Sequence, residues 1–386
     1  MRHYLLATAL AATLFGASTQ SYQSQMDDFY KYKQQQYNDF ASYKKEMMAA
    51  FQAYKKEIGA YWEEPKLSTK KEWVQYSKDK KTRSEVDFKH NEIVIETIAK
   101  DAKDAKQKLQ ATLAKVVTVD TKTAFKTDPL EQRLAKIPKP KEIVDAPVDK
   151  KPILAPVVFK KPPTKRSLYK YVTTHVQPKT IKKTKSPKVH GAFVYKVVVK
   201  LPKNATYKRS KVYESEVRQN AAKQKLPVDL VFAIMHTESS FNPKATSHIP
   251  AYGLMQIVPH TAGIDSYRYL YKVKKQPSRT YLYNSSNNIR LGSAYLHILY
   301  YSYLRHIKNP QSRLYCTIAA YNTGAGNIAW AFTRTYNIKK AARIINTLTP
   351  QQVYNRLLKD LRYDEPKHYL KRVTKRMNIY HKIYNG

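Results

Sequence analysis

One cysteine and nine glycines are all that the 386 residues hold of those two types. The single thiol, Cys316, excludes an internal disulfide framework and every zinc site built on several cysteines. No GxGxxG or GxxxxGK run occurs, so a glycine-rich cradle for nucleotide phosphates is excluded as well. Beyond the first twenty residues nothing approaches 18 consecutive apolar positions, and no internal membrane span is expected. Acidic residues are also scarce. The chain has 29 Asp and Glu against 70 Lys and Arg, a net charge of +41. Such a charge calls for anionic surroundings: nucleic acid, an anionic membrane face, or a polymer carrying carboxylates. What is abundant argues for folded domains. Hydrophobic residues make up 42% and tyrosines number 32, too apolar a mixture for a wholly disordered chain. The length suits two or three domains.

Met1-Arg2-His3-Tyr4 is a short basic start, followed by an apolar run from Leu5 to Ala17 and then Ser18-Thr19-Gln20-Ser21. This pattern reads as a secretory signal peptide over 1–18, with a buried helix as the alternative. No cysteine closes the apolar run, so no thiol stands there to carry a lipid. Export to the periplasm lowers the standing of the nucleic-acid reading, which rests on charge alone. Cys316 lies in an apolar helical segment and reads as core.

From Tyr22 to Trp62 the chain predicts one long helix, with Phe40, Tyr43, Met47, Phe51, Tyr54, Ile58 and Tyr61 forming an apolar stripe at steps of three and four. Alternation over 82–88 and 92–98, around Lys89-His90-Asn91, predicts a hairpin. An amphipathic helix over 101–117 follows. These segments suggest a small α/β unit over 19–128. The stretch 129–205 is crowded with lysine, and 129–202 holds 11 of the 20 prolines. It reads as extended linker apart from a strand over 194–201. Helical segments are expected at 214–224, 229–238, 289–303, 311–321, 350–361 and 366–382. The expected class is α+β: a small N-terminal α/β domain with a long helix, then a mostly α-helical domain over 206–386.

Chemistry concentrates in that second half. In Val231-Phe232-Ala233-Ile234-Met235-His236-Thr237-Glu238-Ser239-Ser240-Phe241-Asn242-Pro243 an apolar helix runs into a glutamate and stops. A carboxyl so placed is partly desolvated and keeps its proton toward neutral pH. Glycoside cleavage needs such a group to protonate the leaving oxygen. A surface glutamate in a last helical turn is the bland alternative. Tyr252-Gly253-Leu254-Met255-Gln256-Ile257-Val258-Pro259 follows after one loop, and Ala319-Ala320-Tyr321-Asn322-Thr323-Gly324-Ala325-Gly326 comes later.

Glu-Ser, Gly-Leu-Met-Gln and Ala-Tyr-Asn in this order and spacing resemble the soluble lytic transglycosylase family, whose domain is a lysozyme-like helical fold that cuts peptidoglycan. Further segments resemble a membrane-bound branch of it: Pro259-His260-Thr261-Ala262-Gly263, Pro277-Ser278-Arg279, Ile345-Asn346-Thr347-Leu348-Thr349-Pro350, and the N-terminal Tyr54-Lys55-Lys56-Glu57-Ile58-Gly59-Ala60-Tyr61-Trp62.

The resemblance implies that Glu238 is the single catalytic acid/base. It implies that Ser247 lies near the reacting sugar, that Met255 and Gln256 line the cleft, and that Tyr321 and Asn322 hold substrate. Glu365 followed by Tyr369 resembles the family's late Glu-Thr-x-x-Tyr element, with Pro366 in place of Thr. Val258 stands where many members have Met, and Pro250 interrupts the usual Gly-Ala. The implied partners are peptidoglycan glycan strands. No cofactor and no metal are expected: His236 and His260 read as structural, since neither HExxH nor a Cys–His cluster is present. The basic linker is expected to skim an anionic membrane or outer-membrane surface.

Other readings stay open at this point. Tyr321 also fits a core tyrosine, Gly253 and Gly324 also fit simple turn residues, and Leu254 and Ile257 read as core. A hydrolase would need a second carboxylate, for which Asp265 and Glu365 are the candidates. A non-catalytic wall-binding protein is the other class.

Overall fold

Asp87 shows how the N-terminal unit forms. Its Oδ1 accepts from the backbone N–H groups of Lys89 and His90, both at 2.8 Å, and Asn91 takes a left-handed conformation at φ 57°. That turn joins β2 (Thr82–Asp87) to β3 (Glu92–Ala99), with β1 (Glu72–Tyr76) antiparallel on the outer side. The computed structural model of the chain describes residues 19–247 and 250–384. The segment read as an export signal lies outside them.

The long helix α1 (Thr19–Gly59) runs about 60 Å at 1.5 Å per residue. Its C-terminal part is anchored: Tyr54, Ile58 and the following Trp62 are buried against the sheet with Val74, Tyr76 and Ile98. Helix α2 (Ala102–Thr118), capped by the Asp101 side chain on the Asp104 N–H, covers the sheet with Leu109, Leu113, Val116 and Val117.

The expected linker over 129–205 is the main departure. It is built into the fold. Pro129 and Pro156 sit in the first turns of α4 (Pro129–Leu134) and α5 (Ala155–Val158), where the missing N–H has no intrahelical partner to lose. Helix α4 follows α3 (Thr121–Lys126), and α6 (Lys165–His175) lies further on. Leu130, Leu134, Ile153, Leu154, Val157, Val172 and Val176 are all buried. Strand β6 (Phe193–Lys200) pairs with β3 along its whole length, with Ile95 opposite Val197, and β5 (Lys182–Lys185) closes the order β1-β2-β3-β6-β5. Between them β4 (Ile143–Val144) runs parallel to β7 (Gln276–Pro277) of the second unit. Sparse apolar anchors hold a proline-rich path that composition alone reads as loose.

The second unit is helical, so the chain is α+β as expected. Helices α7 (Ala205–Val212) and α8 (Glu214–Gln224) lead to α9 (Val228–Ser239), which is buried on nearly every side. Helix α17 (Asp364–Tyr384) lies along it, with the Phe232 and Tyr384 rings stacked 4.2 Å apart.

The units are tied by buried polar groups. Arg209 is 1% exposed and donates to Asn91 Oδ1, Phe88 O and Ser240 O. Glu131 accepts from Arg279 at 2.7 and 3.1 Å and from Lys244 at 3.3 Å.

Candidate active site

The apolar run Val231–Met235 drives α9 into the core and carries Glu238 to its last turn, where the side chain is 7% exposed. Ser240 and Phe241 both take left-handed conformations, at φ 52° and 64°, and end the helix there. Burial raises the Glu238 carboxyl above the ordinary glutamate range. The position adds to this, since the C-terminal end of a helix disfavours negative charge. Lys70 opposes it with its Nζ 3.7 Å from Oε2, and Lys71 acts in the same sense. Two tyrosines border the group. Burial, then the Glu238 charge, pushes both Tyr321 and Tyr369 well above ordinary tyrosine. Glu238 is the charged group that acts most on the Tyr369 hydroxyl, and hydrogen bonding from that hydroxyl counters part of the rise of the carboxyl.

The Gly-Leu-Met-Gln turn lies beside this carboxyl. Gly253 has φ +76°, and a Cβ there would stand 2.4 Å from both Leu282 O and Asn288 Nδ2, so the position demands glycine. Asn288 organises the turn: its Nδ2 donates to Tyr252 O and Leu282 O, and its Oδ1 accepts from Met255 N, all at 2.8 Å. Ser239 Oγ joins the helix end to the turn by donating to Leu254 O at 2.8 Å.

Not every expected residue presents its side chain to a cleft. Met255 does not. It is fully buried, its sulfur lying over Gly292 where a Cβ would meet it at 2.3 Å, so an apolar side chain expected to line the cleft is core. Its backbone remains part of the site, because Met255 O accepts from the Tyr321 hydroxyl at 2.8 Å. Gln256 sits at φ 50° with Nε2 donating to Gly253 O, and its Oε1 is buried without a partner among the described residues. Asn322 is half-buried on α13 (Pro310–Thr323), the helix that carries Tyr321. Ser247 closes the neck of its loop, accepting from Ala251 N at 3.0 Å. Glu365 opens α17, with its side chain 62% exposed and paired to Arg372 at 2.8 Å. It raises the Glu238 carboxyl further by its charge. The other candidate second carboxylate, Asp265, is engaged with Tyr303 and Arg268. Among the described residues no three His, Cys, Asp or Glu gather as a metal cluster.

Sequence reasoning left Lys70, Lys71, Asn288, Tyr369 and Arg376 off the list of site residues. Tyr369 alone had a signal, the spacing from Glu365. Arg376 Nη1 donates to Thr237 Oγ1 at 2.8 Å, one residue before the glutamate.

His236 lies two residues before Glu238 on α9, with Nδ1 3.0 Å from the Tyr380 hydroxyl. Burial, then the charges of Arg376, Lys71 and Arg209, push it down to about 3 from an ordinary 6.5. The unfolded chain therefore binds more protons between these values, and stability rises with pH across that window. As pH falls from about 6.5 to about 3, His236 takes stability away. Thermal melts from pH 3 to 7 should show a shallower slope for His236→Gln than for wild type; equal slopes would contradict this.

A glutamate whose carboxyl burial raises ends a buried helix, with Tyr321, Tyr369 and the Gly-Leu-Met-Gln turn around that end, and these are the segments in which the chain resembles soluble lytic transglycosylase domains. The family model described as Transglycosylase SLT domain matches residues 215–344. A second, Membrane-bound lytic murein transglycosylase C, N-terminal domain, matches 24–127. The membrane-bound lytic murein transglycosylase C of Serratia proteamaculans is 36% identical over 317 residues, 80% of this chain and 82% of that protein. Its namesake in Photorhabdus laumondii is 35% identical over 314 residues, 81% and 83% of the two chains. The chain thus belongs to the membrane-bound lytic murein transglycosylase C family.

Among solved structures, an inactive mutant of lytic transglycosylase Slt from Pseudomonas aeruginosa aligns at 23% identity and a TM-score of 0.35, over 47% of this chain and 28% of that one. The 70 kDa soluble lytic transglycosylase of Escherichia coli aligns at 22% and 0.34, over 44% and 24%. The chain spans only about a quarter of the length of these solved proteins.

Proposed function

We propose that the protein cuts the β-1,4 bond between N-acetylmuramic acid and N-acetylglucosamine in peptidoglycan without water. The buried Glu238, whose carboxyl burial raises above the ordinary glutamate range, carries this reading. Glu238 donates its proton to the leaving oxygen as the C1–O bond breaks, and the developing charge at C1 is oxocarbenium-like. The carboxylate so formed takes the proton of the C6 hydroxyl of the same muramoyl unit, and O6 closes onto C1. The proton count balances and Glu238 ends as it began. The product carries a 1,6-anhydromuramoyl end. Intramolecular attack draws on proximity, which removes the need for a base that activates water.

Tyr321 fixes the Gly-Leu-Met-Gln turn against Glu238, and the partnerless Gln256 Oε1 is an acceptor for a sugar hydroxyl or acetamido N–H. Asn322 and Ser247 bind the strand at the cleft. Hydrolysis with Glu365 as second carboxylate is less well supported, because an exposed carboxylate held by Arg372 is poorly placed to serve as a dedicated base.

The site of action is the cell envelope, after export through the segment 1–18. No helix among the described residues is long and apolar enough to cross a membrane. Exposed lysines such as those of β5 favour attraction to anionic wall or lipid surfaces, weakening with salt. Mass spectrometry of digested sacculi tests the chemistry. Anhydromuramoyl ends are expected from wild type and none from Glu238→Gln, whereas reducing ends would contradict the proposal.

A further inference from the structure

The segment 69–71, which precedes β1, reaches the catalytic helix from the N-terminal unit. It is a rigid piece of chain. Thr69 Oγ1 accepts from Lys71 N and Glu72 N at 3.2 and 3.1 Å, and Phe88 N donates to Lys71 O at 2.9 Å. It is also fastened to the helical unit. Thr69 O accepts from Thr246 N at 3.3 Å, and Lys70 O accepts from Asn242 Nδ2 at 3.4 Å. From this frame Lys71 extends its ammonium to two carbonyls of the last turn of α9, His236 O at 3.1 Å and Thr237 O at 2.6 Å. Lys70, its side chain 45% exposed, stands 3.7 Å from Glu238 Oε2.

We propose that this segment is part of the reaction apparatus, with Lys71 fixing the helix end under Glu238 and Lys70 serving as a positioning residue for proton transfer by Glu238. The proposal rests on the reading of Glu238 as acid and then base.

The chemistry asks for two opposed properties. The carboxyl must hold a proton before substrate arrives, yet its anion must be tolerated once the leaving oxygen has taken that proton. Burial supplies the first. A cation at 3.7 Å supplies the second, and its half-exposed position keeps water near it, so the attraction is too weak to strip the proton at rest.

The remaining groups around Glu238 come from three elements. His236 lies on its own helix and Tyr321 on α13, while Glu365, Tyr369, Arg372 and Arg376 lie on α17. Of these, Glu365 is the only acid and works against the lysines. Lys71, held among carbonyls and cations, is itself pushed down to about 7 by burial, with Glu238 opposing. The N-terminal unit thereby contributes charge directly to the cleavage site.

The test uses the full-length chain and soluble peptidoglycan strands, with kcat/KM followed from pH 4 to 9. Because the first step needs protonated Glu238, activity falls on the alkaline side as that proton is lost. Removing a neighbouring cation makes the proton harder to lose. Lys70→Met should move the alkaline limb upward by about 0.5–1 unit, and Lys70→Arg should restore it. An unmoved limb, or a uniform loss at every pH, would overturn the proposal. Glu238→Gln separates the two layers: if it is inactive while the Lys70→Met limb stays in place, only the lysine proposal fails. If Glu238→Gln remains active, the reading beneath it fails. Should Lys71→Met not fold, the Lys70 pair still decides the matter.

Discussion

Glu238→Gln should lose at least about 10³-fold in turnover of peptidoglycan strands while melting at or near the wild-type temperature. General acid or base catalysis is worth about 10²–10⁴-fold, and here one group serves in both steps. The fold should survive because the amide replaces a carboxyl that burial already favours in its neutral form. The same property fixes the sign of the pH dependence. A raised value means that protonated Glu238 persists above the ordinary glutamate range and is lost as pH rises through it, so wild-type kcat/KM declines on the alkaline side. A variant that keeps a tenth of the activity would remove Glu238 from the mechanism. So would a wild-type profile with no alkaline decline.

The second large effect is on stability. Glu131 is 3% exposed and is held by Arg279 through two hydrogen bonds and by Lys244 through a third. The Arg279 guanidinium also lies over Tyr252, Tyr283 and Phe51, 5.0–5.3 Å from their ring centres. Arg279→Met leaves a buried carboxylate with only Lys244, and loss of one partner of a buried pair costs about 3–5 kcal/mol. Asp128 beside them, raised to about 6 mainly by burial, adds further unfavourable charge when the arginine is gone. Chemical denaturation should register this loss. Arg279→Met combined with Glu131→Leu should cost less than the two single changes summed, since the pair acts as a unit. A single variant within about 0.5 kcal/mol of wild type, typical of surface changes, would contradict the account of how the two units are joined.

Local signals in the sequence led to local structure. Alternation around Lys89-His90-Asn91 marks β2 and β3, and the apolar run before Glu238 marks α9. The stripe from Phe40 to Tyr61 marks α1, although only its last turns find a core. The short helices α14 (Ala325–Thr333) and α15 (Ile338–Ile345) were not legible, as neither is long enough to display a clear period. The proline-rich middle was misread because composition does not tell a proline in a helix's first turn from one in a loop.

The site divides in the same way. Glu238, Gln256 and Tyr321 stand out through the order of three short motifs, and the Gly-Leu-Met-Gln turn is tied to the end of the glutamate's helix by Ser239. Met255 belongs to the same motif but serves through its backbone, a distinction that spacing does not carry. Lys71 and Arg279 meet their partners 165 and 148 residues away in the chain. Nothing local announces such pairs. They arise because docking the N-terminal sheet against the helical unit buries charges that must then find one another.

The central claim is that cleavage proceeds without water, and digestion of sacculi in ¹⁸O-enriched water tests it most directly. The account predicts new muramoyl ends free of ¹⁸O, since O6 of the same sugar closes onto C1. Incorporation of one ¹⁸O per cut would contradict it and make the protein a hydrolase, with Glu365 the first carboxylate to substitute.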